Sequence, residues 1–219
     1  MNDYLDYYCE RLEPGLLAEP INAFTNLAFI IAGFFTLHLA KKENALNWRS
    51  GTLIALIFAM GIGSTLFHTF ATLWAMMTDV LPILAFQIVF IVLYAQRIMK
   101  LKFPWCQAPL VVFFILMYIS MQLPREWLNG TLEYAPAFIF VTAFGIYHVK
   151  KATCERWGLL AAAGLFLISM TFRSIDMHVC EDLHIGTHFI WHCLNAVVLY
   201  LSARAYILNA KSPSLVQQE

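Results

Sequence analysis

Charge is what this sequence has least of. Lys, Arg, Asp and Glu make up 13% of the 219 residues, while hydrophobic residues make up 60%. A water-soluble domain of this size needs more polar surface than that. The charges present cancel, 14 basic against 14 acidic, so no nucleic acid is expected as a partner. No cleavable signal pattern opens the chain. Residues 1–19 hold five acidic groups and one Arg, the wrong charge for the basic start of a signal peptide. Five cysteines fall without CxxC spacing, which argues against a thiolate zinc site. Internal repeats are lacking, and the polar tail "LNAKSPSLVQQE" carries no motif and is expected to be disordered.

Long apolar runs are there instead. Runs of about 20 residues recur, each long enough to cross a ~30 Å hydrocarbon core as a helix. Spans are expected near 20–40, 51–71, 76–96, 105–123, 131–149, 157–173 and 186–207, punctuated by segments such as "KKENALNWR" and "RSIDMHVCEDLH". The expected fold is an all-α membrane protein, a seven-transmembrane-helix bundle over residues 20–208. An acidic extracytoplasmic segment, 1–19, precedes it, and a tail, 209–219, follows.

Lys and Arg orient the bundle. Segments 41–49, 97–103, 150–156 and 204–219 hold 11 of the 14, and the opposite set of segments holds three. Basic loops face the cytoplasm, so the N-terminus is expected outside and the C-terminus inside. Cys9 and Cys180 then share the outer side. They could form one disulfide in an oxidising compartment or remain two free thiols. A loop-poor chain without an organelle signal suggests a bacterial inner membrane.

Ionisable groups inside spans are costly and mark candidate sites. "GIGSTLFHTF" places Ser64 and His68 four residues apart, on one helix face. "MMTDVLPIL" carries Asp79, and "GTHFIWH" carries His188 and His192, again four apart. With the expected topology all of these fall in one outer layer of the bundle. Three imidazoles with an open fourth position are a common catalytic zinc arrangement. An Asp beside that position could orient water or take its proton, and a Ser could donate to a developing oxyanion. Each His alone could equally be an interhelical hydrogen bonder, worth about 1 kcal/mol or less in a membrane bundle. A proton relay through His and Asp is a further reading. His184 is placed at the rim, and His38, His148 and His178 fall outside the layer.

SxxxH, then Asp eleven residues after that His, then HxxxH in the last helix resembles the superfamily of seven-helix membrane hydrolases, which includes adiponectin-receptor-like proteins. Two patches resemble its alkaline ceramidase family more closely. These are "DYYCERLEPGLLAEPINAFTN", with Glu19, Asn22 and Asn26 as ExxNxxxN, and "DMHVCEDL", similar to DxxxCExL. The resemblance implies zinc on His68, His188 and His192. It implies that Asp79 handles the nucleophilic water and that Ser64 stabilises the oxyanion. It also implies a Cys9–Cys180 disulfide, and calcium bound by Glu10, Glu19 and the Tyr8 carbonyl. Two departures touch the calcium set: Tyr7 falls between Asp6 and "YCE", and Leu12 stands where an Asn ligand is expected. A solvated acidic terminus is the alternative there. The implied reaction is hydrolysis of the amide of ceramide or a related N-acyl lipid, a substrate that stays in the membrane. A receptor-like protein on the same metal scaffold is the alternative from another class. A proton-coupled transporter would need more titratable groups in the cytoplasmic halves of the spans.

Overall fold

The computed structural model describes residues 4–210. The expected tail lies almost wholly outside them. Among the described residues the structure is helical, without a strand. The helices are α1 (Pro20–Thr25), α2 (Leu27–Lys42), α3 (Trp48–Phe70), α4 (Leu73–Arg97), α5 (Ala108–Ser120), α6 (Ala135–Lys151), α7 (Gly158–Ile175) and α8 (His188–Asn209). Short 3-10 turns precede α5 and α6 and follow α7. Five helical stretches are long and apolar enough to cross a membrane: Pro20–Lys42, Trp48–Phe70, Leu73–Arg97, Trp127–Lys151 and Gly158–His178. Trp105–Ser120 is apolar but shorter. These helices make the chain a multi-pass membrane protein. The last helix has 22 residues, and its apolar run is broken by His188, His192, Asn195, Ser202 and Arg204.

Local chemistry sets the helix ends. Pro20 starts α1, where a missing N–H costs nothing. Asn47 caps α3 in a reciprocal box: its carbonyl side chain accepts from Arg49 and Ser50 N–H, and its own N–H donates to the Ser50 hydroxyl. Lys41 and Lys42, Arg97, and Lys150 and Lys151 sit in the last turns of α2, α4 and α6. Cations there complement the free carbonyls of the helix end.

The α3–α4 hairpin positions the site. Ala71 adopts a left-handed conformation (φ 46°), ends α3, and lets the chain reverse into α4 within two residues. The two backbones then touch at Gly63, where an added Cβ would land on the Thr78 carbonyl. This contact brings the turn carrying Ser64 against the turn carrying Asp79. Gly63→Ala is expected to destabilise the bundle by about 1–3 kcal/mol, because the obstacle is backbone and cannot swing away. A thermal melt should show a lower midpoint, and an unchanged one would deny that close approach.

At the other end of the bundle, buried His148 meets the Tyr94 hydroxyl (2.9 Å) and the Asn209 amide (3.4 Å). His38, His178 and His184 are exposed. None of the four joins His68, His188 and His192.

Candidate metal centre

His68 lies near the C-terminal end of α3, and His188 and His192 face one way from the first turns of α8. Their possible ligand atoms all lie within 4.8 Å of one another, and all three side chains are buried. The ring centroids are 4.6–5.3 Å apart. Among the described residues no other group of three His, Cys, Asp or Glu side chains gathers in this way.

Neighbours decide which nitrogens point inward. His68 Nδ1 donates to Glu19 Oε2 at 2.5 Å, leaving Nε2 buried and without a partner. His192 Nδ1 donates to Thr25 Oγ1 at 3.0 Å, whose own proton goes to the Ile21 or Asn22 carbonyl. That leaves His192 Nε2 as its lone-pair nitrogen. His188 keeps Nδ1 buried and unpartnered. A buried nitrogen without a hydrogen bond is costly. Two of them beside a third free imidazole nitrogen fit one metal ion, and a neutral three-imidazole donor set suits zinc. A carboxylate or hydroxyl on the outer ring nitrogen is the usual support for such ligands.

The α8 histidines are held by Asp176, which is fully buried. Its Oδ1 accepts the free N–H groups of Thr187 (2.6 Å) and His188 (2.8 Å) at the start of α8, and its Oδ2 accepts Cys9 N–H (3.0 Å). An anion at a helix N-terminus is stabilised by those donors. Gly186 (φ 62°) completes the corner, since a side chain there would collide with Asp176 and Cys9. Cys9 and Cys180 form a disulfide, which ties the N-terminal segment to the loop before α8. The Tyr8 ring stacks on His188, with centroids 3.8 Å apart. Burial pushes the Tyr8 phenol above its usual pKa, so the ring stays neutral.

Among the described residues Glu10 and Glu19 do not converge on a common point with a third acidic side chain. Glu10 accepts Ile21 N–H (2.7 Å) and Asn22 N–H (2.8 Å) at the start of α1. Glu19 is paired with Arg11 and His68 and accepts from Asn22 Nδ2 (3.2 Å). Burial alone would raise the Glu19 carboxyl pKa, but the hydrogen bonds from His68 and Arg11, with the guanidinium charge, outweigh it and hold the pKa low. The Tyr8 carbonyl accepts Arg11 N–H at 3.2 Å. Glu19 thus meets the histidine layer through His68.

Ser64, Asp79, His188 and His192 line one cavity, with the Ser64 side chain against Asp79. The same cavity reaches Phe90 on α4 and Ser202 on α8. From Asp79 to Phe90 is eleven residues, or about 16 Å along a helix. Apart from the polar end the walls are mostly apolar, with aromatic rings such as Phe86, Phe113 and Phe166, and Gln87, Asn195 and Ser202 interrupt them. Arg173 lies against the Tyr134 and Trp191 rings, both of which line the cavity, and donates to the Asn129 carbonyl. A site with three metal-ready imidazoles, a carboxylate and a hydroxyl at the head of a long apolar cavity can polarise a polar headgroup while holding a hydrocarbon tail.

Arg11, Thr25, Asp176 and Arg173 were not legible as site residues in the sequence. Asp176 had a signal, as the first residue of DxxxCExL, and Arg11 had one as the single cation in an acidic segment. A family described as Ceramidase matches the chain over residues 7–212. A search of curated proteins finds no match to it.

Proposed function

This chain belongs to the ceramidase family, and from that membership we propose that it is an intramembrane zinc amidase. It hydrolyses ceramide or a related N-acyl lipid to a fatty acid and an amine. The observation that carries this reading is the cluster of three buried imidazoles at the polar head of an apolar cavity that Asp79 and Ser64 also line.

In this reading His68, His188 and His192 hold zinc, with Glu19 and Thr25 fixing two of the rings through their outer nitrogens. When bound there, zinc would supply Lewis-acid chemistry, favouring attack by water on the amide carbonyl near neutral pH. Asp79 takes the proton from the attacking water and delivers it to the leaving amine, the two halves of general base and acid catalysis. Ser64 donates a hydrogen bond to the oxyanion as charge develops. The phenylalanine-rich walls receive the acyl chain, and lipid reaches them laterally from the bilayer. The bundle spans the membrane seven times, with α5 and α8 completing the five long apolar stretches. The acidic segment 1–19 and the zinc layer lie on the outer side and the tail 209–219 in the cytoplasm. The excess of Lys and Arg at one end of the bundle supports that orientation, and a bacterial inner membrane fits it.

The test is fatty-acid release, followed by mass spectrometry, from a panel of N-acyl and O-acyl lipids. Zinc-loaded protein should release fatty acid from ceramides. Metal-stripped protein should release none, and zinc alone should restore it. A folded, zinc-loaded protein that hydrolyses no lipid in the panel would refute the amidase reading in favour of a receptor-like role for the same scaffold.

A further inference from the structure

The calcium ion that the family resemblance implies does not fit this N-terminal segment. Calcium takes six to eight oxygen ligands. Here both Glu10 oxygens accept backbone N–H groups of α1. Glu19 Oε1 meets the Arg11 guanidinium, and Oε2 accepts from His68 and Asn22. The Tyr8 carbonyl accepts the Arg11 N–H. Leu12, where a further ligand would stand, is 76% exposed and apolar.

A cation is nonetheless present among these groups. Arg11 is 4% exposed, and Glu19, its ion-pair partner, is 3% exposed. Its Nε donates to Glu19, one terminal nitrogen to the Gly15 carbonyl (3.2 Å), and the other to the His68 carbonyl (2.9 Å). The rigid fork of a guanidinium suits this, because its donors are fixed in one plane. Two routes then lead from Arg11 to one residue. The first is the direct bond to the His68 main chain. The second runs through Glu19, whose other oxygen holds the His68 ring nitrogen.

We propose that the Arg11 guanidinium replaces calcium as the cation of this segment, and that it positions His68 through its backbone and ring at once. The replacement of calcium stands on the Arg11 contacts alone. The positioning of His68 as a zinc ligand rests on the zinc reading given above.

The experiment uses the purified full-length protein and Arg11→Ala, Arg11→Lys and Arg125→Ala variants. Arg125 pairs with Glu133 at the exposed surface and serves as the control. Thermal midpoints are measured in calcium-depleted buffer and with about 5 mM calcium chloride, above the range of weak extracellular calcium modules. The wild-type midpoint is expected not to move with calcium. Arg11→Ala is expected to melt roughly 6–20 °C lower, because a buried carboxylate loses its partner, and Arg11→Lys in between. Zinc release to a chelating dye should be about 10–100-fold easier from Arg11→Ala and unchanged in Arg125→Ala. A wild-type midpoint that climbs with calcium would overturn the proposal, as would an Arg11→Ala midpoint equal to the wild type. Unaltered zinc retention in Arg11→Ala would overturn the positioning of His68. If Arg11→Ala does not fold, the wild-type calcium titration and Arg11→Lys decide. A wild type that binds no zinc would defeat the zinc reading, and the thermal comparison would still decide on Arg11.

Discussion

Alanine at His68, His188 or His192 is expected to take bound zinc from the one per chain of the zinc reading to near zero, and lipid hydrolysis to background. In the zinc reading three imidazoles would share the metal, and the binding free energy of a protein zinc site is on the order of 10–16 kcal/mol. One ligand is then worth about 3–5 kcal/mol, or roughly 10²–10⁴-fold in affinity. The three variants should behave alike, because each removes one leg of the same tripod. His148→Ala is the control: that imidazole is buried too, but it meets Tyr94 and Asn209 instead. Elemental analysis of detergent-purified protein, with circular dichroism to establish folding, measures the effect. A folded His188→Ala protein with wild-type zinc and activity would remove the trio from the mechanism.

Asp79→Asn loses about 10²–10⁴-fold in kcat, the usual contribution of a positioned general base, while its zinc content stays at the wild-type level. Asp79 lines the same cavity without being one of the three clustered ligands, so metal binding is expected not to depend on it. Asn keeps the shape and loses the basic oxygen. KM should change little, because the substitution leaves the apolar walls that bind the acyl chain intact. Hydrolysis retained at wild-type zinc content would exclude proton transfer by Asp79. A loss of zinc would instead make Asp79 part of the metal's support.

Much of the helical framework was legible from the apolar runs. The runs at 51–71, 76–96 and 186–207 became Trp48–Phe70, Leu73–Arg97 and His188–Asn209, because a 20-residue apolar stretch in lipid must satisfy its backbone hydrogen bonds internally. The run at 105–123 shrank to a 13-residue helix behind a 3-10 turn, where Pro104 and Pro109 remove donors from the start. The spacings SxxxH and HxxxH were also readable, since residues four apart share a helix face whatever the helix packs against.

Which groups meet across helices was settled by the tertiary structure. The family resemblance implied that Glu19 is a calcium ligand. Packing brings it to His68, 49 positions along the chain, and gives its second oxygen to Arg11. Asp176 looked like one charge in a polar loop and became the anchor of both Cys9 and the start of α8. Local periodicity assigns a residue to a helix and a face. It carries no record of partners far along the chain, because those contacts exist only once the helices have packed and each buried charge has found the group that neutralises it.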